Sequence, residues 1–281
     1  MKKILTVLTA LALIPALLGC SIHITIGDHG SGDAPSGTVE YVPDNGYTAG
    51  GTKVLQRDGF RSIDIEWING SVTIEMYDEE HVEIEEALAD GGAVSTPLEW
   101  RVHEGTLDIR SQPRLVDLME EKHLTVRLPR SIVLHELDIE TVSADVTAVL
   151  PEDDILELDE FDVSTVSGTV TADDVRAAEV SISSTSGALN GSVSAQELDV
   201  STVSGTVEVT LTTLPVEVDV ESTSGNVTLH IPGTVMPAAP LAVSFTGTSG
   251  KLVCDAAHTL VRDGSWEFKT VSGNVSILEA S

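Results

Sequence analysis

The nine residues "DVSTVSGTV" occur twice in the chain, at 162–170 and again at 199–207. Valine and threonine favour β-strands, whereas the Ser-Gly pair near the end of the stretch is typical of a turn. A chain that repeats such a stretch word for word repeats one structural unit. The fold class therefore follows from this repeat and from how far it extends along the sequence.

The repeat extends well beyond its two identical copies. With the Gly of Ser-Gly as position zero, six copies are anchored at Gly168, Gly187, Gly205, Gly225, Gly250 and Gly273. Two looser copies are anchored at Gly70 and Ala144. Positions −7, −5 and +2 are apolar in all of them, although apolar residues make up 41% of the chain. A ninth, degenerate copy at Gly105 puts Leu98, Trp100 and Leu107 in the same slots.

The spacing of these apolar positions predicts a corner. Positions −7 and −5 lie on one face of a strand, but +2 is an odd number of residues away and would point outward on a straight strand. The chain must bend at Ser-Gly, where Gly can adopt a positive φ. From Ala144 the anchors are spaced 24, 19, 18, 20, 25 and 23 residues. A period of about 20 residues is typical of a solenoid.

We therefore predict an all-β, single-domain β-solenoid (β-helix-like) with short coils of about 20 residues and Ser-Gly corners, each coil stacked on the previous one. The domain is predicted to span 53–281, with wider N-terminal coils and a cap over 53–136 and regular repeats over 137–281. The stretches "HVEIEEAL" and "HLTVRLPR" are expected to form outer strands of the N-terminal part. An independent β-sandwich is the alternative, but nothing forces identical corners on a sandwich.

The three tryptophans lie in the terminal copies of the repeat. They are Trp67, Trp100 and Trp266. A solenoid must protect its open ends from pairing with other chains, so we interpret these residues as caps. A platform on which sugars stack is the alternative.

The first twenty residues, "MKKILTVLTALALIPALLGC", have two lysines followed by an apolar run over 4–18. This run is short for a membrane span, and the pattern predicts an export signal over 1–19. The segment 20–52 is rich in glycine and is predicted to be a flexible tether.

The end of this signal, Leu17-Leu18-Gly19-Cys20, resembles the lipobox of bacterial lipoproteins. The resemblance implies that Cys20 becomes the first residue of the mature protein and carries acyl chains that anchor it in a membrane. The expected location is extracytoplasmic, as a lipoprotein of the cell membrane or outer membrane. The alternative is an ordinary signal peptide with an incidental cysteine.

The stretch "HLTVRLPRSIVLHELDIETVSADV" at 123–146, followed by the repeated "DVSTVSGTV", resembles the putative-adhesin β-solenoid family of bacterial envelope proteins, which are relatives of auto-transporter adhesin head domains. The resemblance spans 53–281 and departs from the family pattern at Ala144, where Gly is usual. It implies a β-helix-like fold outside the membrane, and some members of the family accompany envelope-stress response systems. The family has no catalytic residues that could be assigned to this chain.

The chain carries 45 acidic and 15 basic residues, a formal charge of −30. Nucleic-acid binding needs clustered Lys and Arg, so we exclude nucleic acid as a partner.

Acidic clusters occur at Glu152-Asp153-Asp154, at 159–162 and at Asp173-Asp174. They lack the spaced pattern of a calcium loop, so weak or no Ca²⁺ binding is expected, and we predict no cofactor.

Other candidates for chemistry are few. Cys254 occupies a slot that is apolar in the other copies, so it is expected in the core, and lipidation of Cys20 would leave it without a disulfide partner. His230 and His258 are expected at the surface. No nucleophile elbow, P-loop or dinucleotide motif occurs.

These observations predict a non-catalytic, lipid-anchored envelope protein whose repetitive acidic surface serves adhesion or scaffolding, with a membrane, an envelope protein or a glycan as partner. An accessory component of an envelope-stress sensing system, binding a membrane protein, is the alternative. A glycan-active β-helix enzyme is a third possibility, although such lyases need basic residues beside their acids.

Overall fold

The computed structural model describes residues 46–50, 53–112, 120–150, 158–235, 237–262 and 264–280. The predicted signal peptide, Cys20 and nearly all of the predicted tether lie outside these residues. The strands are β1 (Thr48–Ala49), β2 (Lys53–Gln56), β3 (Ser62–Trp67), β4 (Gly70–Tyr77), β5 (His81–Leu88), β6 (Glu99–His103), β7 (Thr106–Arg110), β8 (Lys122–Pro129), β9 (Glu136–Thr141), β10 (Asp145–Val149), β11 (Leu158–Thr165), β12 (Val170–Ser184), β13 (Leu189–Ser194), β14 (Glu197–Thr202), β15 (Val207–Leu211), β16 (Glu217–Ser222), β17 (Val227–Pro232), β18 (Leu241–Gly247), β19 (Leu252–Cys254), β20 (His258–Leu260), β21 (Trp266–Thr270) and β22 (Val275–Ala280). A short 3₁₀ helix spans Arg57–Gly59.

The strands form two faces, which we call sheet A and sheet B, with the apolar core between them. Sheet A has the order β20-β18-β21-β16-β14-β12-β11-β9-β3-β7-β6-β1. Sheet B has the order β19-β22-β17-β15-β13-β12-β10-β4-β8-β5-β2. Pairing is parallel throughout, except for the antiparallel β5, β2, β6 and β1 at one end. The predicted all-β solenoid is confirmed.

The predicted apolar slots form the core. Of the positions −7, −5 and +2 in the eight copies, only Phe245 and Leu252 are half-buried, and the others are buried. Parallel in-register pairing places equivalent residues of neighbouring coils side by side, as with Val200 beside Val220. Each coil therefore extends the same apolar ladder, and every buried aliphatic side chain contributes about 1.5–3 kcal/mol before conformational entropy is subtracted.

The coils do not stack in sequence order at the two ends. The coil β7/β8 lies outside β3/β4, which packs instead on β9/β10. The final coil β21/β22 lies between β16/β17 and the outermost coil β18/β19. The expectation that each coil stacks on the previous one is wrong at these places. As a result of this stacking order, the strands of the coils β3/β4 and β21/β22 are paired on both sides, and their edges are protected.

The prediction of a ninth copy of the repeat at Gly105 is also wrong. Glu104 and Gly105 both have positive φ and form the tight turn of the antiparallel β6–β7 hairpin. Register places Leu107 beside Ile63, so Leu107 occupies a −7 slot and not the +2 slot. A Gly flanked by apolar residues fits a hairpin turn as well as a coil corner, and the sequence pattern does not distinguish the two.

The corner glycines are required for a different reason from the one predicted. None of the six has a positive φ. A Cβ on Gly205 would lie 2.0 Å from the carbonyl oxygen of Gly187 in the neighbouring coil, and one on Gly225 would lie 1.9 Å from that of Gly205. The same close approach to a backbone carbonyl occurs at Gly168, Gly187, Gly250 and Gly273. Glycine is needed at each corner because the stacked backbones touch there.

The Thr and Ser of each corner stabilise this close contact between stacked backbones through hydrogen bonds. The Thr202 hydroxyl is buried and accepts a hydrogen bond of 2.9 Å from the N–H of Gly205, which closes the turn of its own coil. The N–H and the hydroxyl of Ser204 both donate to the Thr185 carbonyl of the preceding coil. Each Thr-x-Ser-Gly therefore stabilises one turn within its coil and joins that turn to its neighbour.

Candidate functional site

The solvent side of sheet A carries a continuous set of carboxylates, which we call the acidic face. It consists of outward residues at positions −8, −6 and −4 of successive coils: Asp64, Glu66, Glu136, Asp138, Glu140, Glu160, Asp162, Glu179, Glu197, Asp199, Glu217, Asp219 and Glu221. Because the strands pair in register, equivalent positions lie beside each other at the strand spacing of about 4.8 Å. The repeat that builds the core therefore also builds this surface.

Three aspartates on adjacent strands form its most crowded part. Asp64 pairs with Asp138, and Asp138 pairs with Asp162. Burial, followed by the charge of Asp162, raises the pKa of Asp138 to about 8. Burial and the charge of Glu160 raise the pKa of Asp162 to about 7, and burial with Glu66 raises that of Asp64 to about 6. These three carboxyls titrate near neutral pH, far above an ordinary aspartate.

Cations lie at both ends of the acidic face. At one end the Lys269 amino group is 3.5 Å from Asp219, 3.2 Å from Glu221 and 3.3 Å from Glu267. At the other end Arg101 pairs with Asp108, and its guanidinium lies 4.4 Å from the ring centre of Tyr47. Negative charge is therefore concentrated over the central coils, because these cations sit at the margins.

A group of three carboxylates on the acidic face has the geometry of a metal-ligand cluster. Oxygens of Glu179, Glu197 and Asp199 lie within 4.8 Å of one another, and all three side chains are half-buried. No other such group occurs in the part of the chain that the structure describes. Carboxylate oxygens suit Ca²⁺ or Mg²⁺, but exposed acidic groups commonly lie this close without a metal.

The acidic clusters noted in the sequence do not come together into one site among the described residues. Residues 151–157 lie outside the described part of the chain. Asp159 pairs with His135 at 2.7 Å, while Asp162 lies on the acidic face. Asp174 has a positive φ at an irregularity in β12, where its N–H donates to the Ser192 hydroxyl.

Two tryptophans are core residues and not caps. Trp67 and Trp266 are buried in β3 and β21, both in inner coils, and each indole N–H donates to a backbone carbonyl. Trp100 is half-buried in β6, near one end of the stack. The cap interpretation is wrong for Trp67 and Trp266 because sequence order does not give stacking order at the ends. Their burial also excludes them from a sugar-stacking platform.

The remaining candidates are structural. Cys254 is a free, half-buried cysteine of β19 that packs against the edge of the core. The His230 imidazole lies 3.2 Å from the Glu208 carboxylate on the outside of sheet B, and His258 is exposed in β20. Among the described residues, none of the helical structure is long and apolar enough to cross a membrane.

The family of this chain follows from its pattern of coils and corners. A family model described as Toastrack DUF4097 matches residues 60–280. The chain belongs to the Toastrack DUF4097 family. This match covers both the irregular N-terminal coils of the Toastrack domain and its regular repeat. A search of curated proteins found no match to the chain.

Several solved structures are similar to this Toastrack protein at low sequence identity. A protein described as a putative cell adhesion protein, from Clostridium sporogenes, is 12% identical with a TM-score of 0.36, over 83% of this chain and 100% of that one. A putative adhesin of Bacteroides fragilis is 12% identical with a TM-score of 0.44, over 82% and 96%. A putative lipid binding protein of Parabacteroides distasonis is 13% identical with a TM-score of 0.44, over 82% and 96%.

The sequence predicted a repetitive acidic surface with Asp and Glu at outward positions, but it did not locate that surface on sheet A or identify the Glu179–Glu197–Asp199 group. The signal was present in the repeat frame, because position −6 is Asp in Asp138, Asp162, Asp199 and Asp219. Reading outward positions in the same frame as the inward ones would have predicted the stacked carboxylates. Contiguous acidic runs such as 152–154 are a weaker signal for such a surface, because neighbours along a strand point to opposite sides.

Proposed function

We propose that this protein is a non-catalytic, lipid-anchored protein of the cell envelope that displays the acidic face for adhesion or scaffolding. The observation that carries this proposal is the in-register stack of carboxylates across the outside of sheet A. Such a surface attracts cationic groups on a protein partner and repels anionic lipid and nucleic acid. An attached lipid at Cys20 would hold the solenoid at a membrane.

The chemistry of the described residues supports a binding role over catalysis. The crowded aspartates have raised pKa values, but they form one row of equivalent outward positions on neighbouring strands of sheet A. Arg176 is the only basic residue between 136 and 235, so the central coils do not combine acids with bases as a glycan lyase would. A flat, uniform face instead suits a partner that spans several coils.

An accessory role in envelope-stress sensing is the second candidate, because the acidic face also suits a basic segment of a membrane protein. Photo-crosslinking in living cells distinguishes the two. A crosslinker at Ser201 projects from the acidic face, and a matched one at Thr228 projects from the outside of sheet B.

We expect adducts at Ser201 that weaken with added salt and are absent at Thr228. One dominant membrane protein would support the accessory role, and adducts to foreign surfaces or wall components would support display. Equal labelling at both positions, or labelling at Thr228 alone, would contradict a function of the acidic face.

Lipidation is tested separately, by growth of cells with an alkynyl fatty acid and detection of the label on the protein. We expect Cys20→Ser to lose the label and Cys254→Ser to keep it, since Cys254 lies in the folded domain. Label that persists in Cys20→Ser would contradict the anchor while leaving the acidic face untouched.

A further inference from the structure

The two ends of the solenoid are closed to different extents. At the end formed by β7 and β8, antiparallel strands extend both sheets, and Val82 and Ile84 of β5 and Leu98, which precedes β6, are fully buried. The Lys122 amino group is also buried there and lies 3.5 Å from the Glu86 carboxylate. The core is therefore sealed at this end, which is also where β1 and β2 enter the fold.

The opposite end, formed by β18, β19 and β20, leaves apolar surface open. Phe245, Leu252 and Cys254 are half-buried, although the matching side chains of the inner coils are buried. Leu260 is 64% exposed and Val253 is 50% exposed. Leu260 pairs with the buried Val243 and so adjoins the incompletely covered core, whereas Val253 pairs with Ser276 on the outside of sheet B.

The backbone at this end is open as well. Among the described residues, β19 pairs only with β22, and β20 pairs only with β18. The second half of β18 pairs on one side only, with β21. Such edges offer unpaired N–H and C=O groups to another strand.

Charge favours a second copy of this chain as the occupant. Residues 136–235 hold 20 acidic residues and one basic residue, so two copies repel each other along most of the solenoid. The segment 241–265, from the start of β18 to the residue before β21, has Lys251 and Arg262 against Asp255 and Asp263, a net charge of zero. This end is therefore the part of the solenoid where charge least opposes the approach of a second copy.

We propose that the end formed by β18, β19 and β20 binds the same end of a second copy, giving a two-fold dimer. Contact between the same end of two copies is isologous and closes on itself, so it gives a dimer and not a filament. The proposal goes beyond display of the acidic face and does not depend on lipidation at Cys20.

Sedimentation velocity on the full chain carrying Cys20→Ser, which removes any acyl group, tests the proposal. We expect a monomer–dimer equilibrium over concentrations on the order of 1–100 μM, strengthened by salt as repulsion is screened. Leu260→Glu places a charge in the contact and should weaken association by about tenfold or more. The matched control Val54→Glu, at a site 61% exposed in the edge strand β2 of the other end, should leave it unchanged.

Hydrogen exchange gives a second readout that needs no variant. Amides of 252–254 should gain protection as concentration rises, while those of β2 should not. A chain that is monomeric throughout, or equal effects of Leu260→Glu and Val54→Glu, would overturn the proposal. Dimerisation only after deletion of 21–45 would also overturn it, because that segment would then be the occupant of the open end in the full chain.

Discussion

At the scale of single residues, the corner shows how one short motif performs three tasks. Thr202 closes the turn, Ser204 bonds to the adjacent coil, and Gly205 allows the two backbones to touch. The identical nine residues recur because each coil meets the same contacts above and below. Ala144 takes the Gly position where the neighbouring coil is that of Gly70, whose positive φ and contact with Lys122 differ from the other corners.

Gly205→Ala tests the close backbone contact. Because the new methyl group would meet the Gly187 carbonyl at 2.0 Å, we expect a loss of about 3 kcal/mol in the free energy of unfolding, measured in urea. Gly59→Ala is the matched control, since a Cβ there meets nothing within 4 Å. Equal effects of the two substitutions would show that the corners are not tightly stacked.

Asp138→Asn tests the crowding of carboxylates. The folded-state pKa of about 8 lies above the ordinary 3.8, so the folded protein holds this proton more tightly than the unfolded chain. Stability from this group is present below pH 4 and is lost as the pH rises toward 8. The substitution mimics the protonated form, so it should stabilise by about 2 kcal/mol at pH 8.5, after allowance for solvent screening, and have little effect near pH 4.

Thermal unfolding across this pH range gives the measurement for Asp138→Asn. The exposed Glu79→Gln, in the turn between β4 and β5, is the control and should change the melting temperature much less at pH 8.5. Destabilisation by Asp138→Asn at pH 8.5 would mean that the ionised carboxylate makes a favourable contact.

At the scale of strands and coils, the exchanged order at the two ends alters which elements matter for stability. Strand β22 ends at Ala280, yet it lies between β17 and β19 inside sheet B. Strand β18 comes earlier in the chain but is the outer one. The long anchor spacings of 35 and 39 residues before Ala144 similarly accommodate the antiparallel strand β5 and the β6–β7 hairpin.

Ile277→Ala and Leu252→Ala test this order. Ile277 is fully buried in an inner coil, so we expect a loss of about 3 kcal/mol, whereas half-buried Leu252 in the outer coil should cost about 1 kcal/mol. Urea unfolding measures both. If the coils stacked in sequence order the ranking would reverse, because the residue nearer the C-terminus would then be the outer one.

At the scale of the whole molecule, one repeat produces both the core and the charge. Stacking of equivalent positions aligns apolar residues inside, as with Val200 and Val220, and carboxylates outside, as with Asp199 and Asp219. The stacked apolar side chains of the core stabilise the fold. The stacked carboxylates of the acidic face destabilise it through repulsion between like charges. With a formal charge of −30 the balance between them depends on the solvent.

Salt should therefore stabilise this protein. Raising NaCl from about 0.02 to 0.5 M shortens the screening length severalfold and should raise the melting temperature at pH 8.5. The gain should be smaller at pH 5, where Asp64, Asp138 and Asp162 are largely protonated. A melting temperature that is independent of salt at pH 8.5 would show that repulsion on the acidic face is already relieved.

The sequence alone determined the all-β solenoid, its inward ladder and the place of its corners, because these depend on the period and parity of a repeat. It also contained the outward carboxylates, although these become a single surface only when the register aligns the strands. The stacking order at the ends, the open coil of β18 and β19, and the reason for each corner Gly were decided by the tertiary structure. They depend on which coils become neighbours, and residues distant along the chain set that contact.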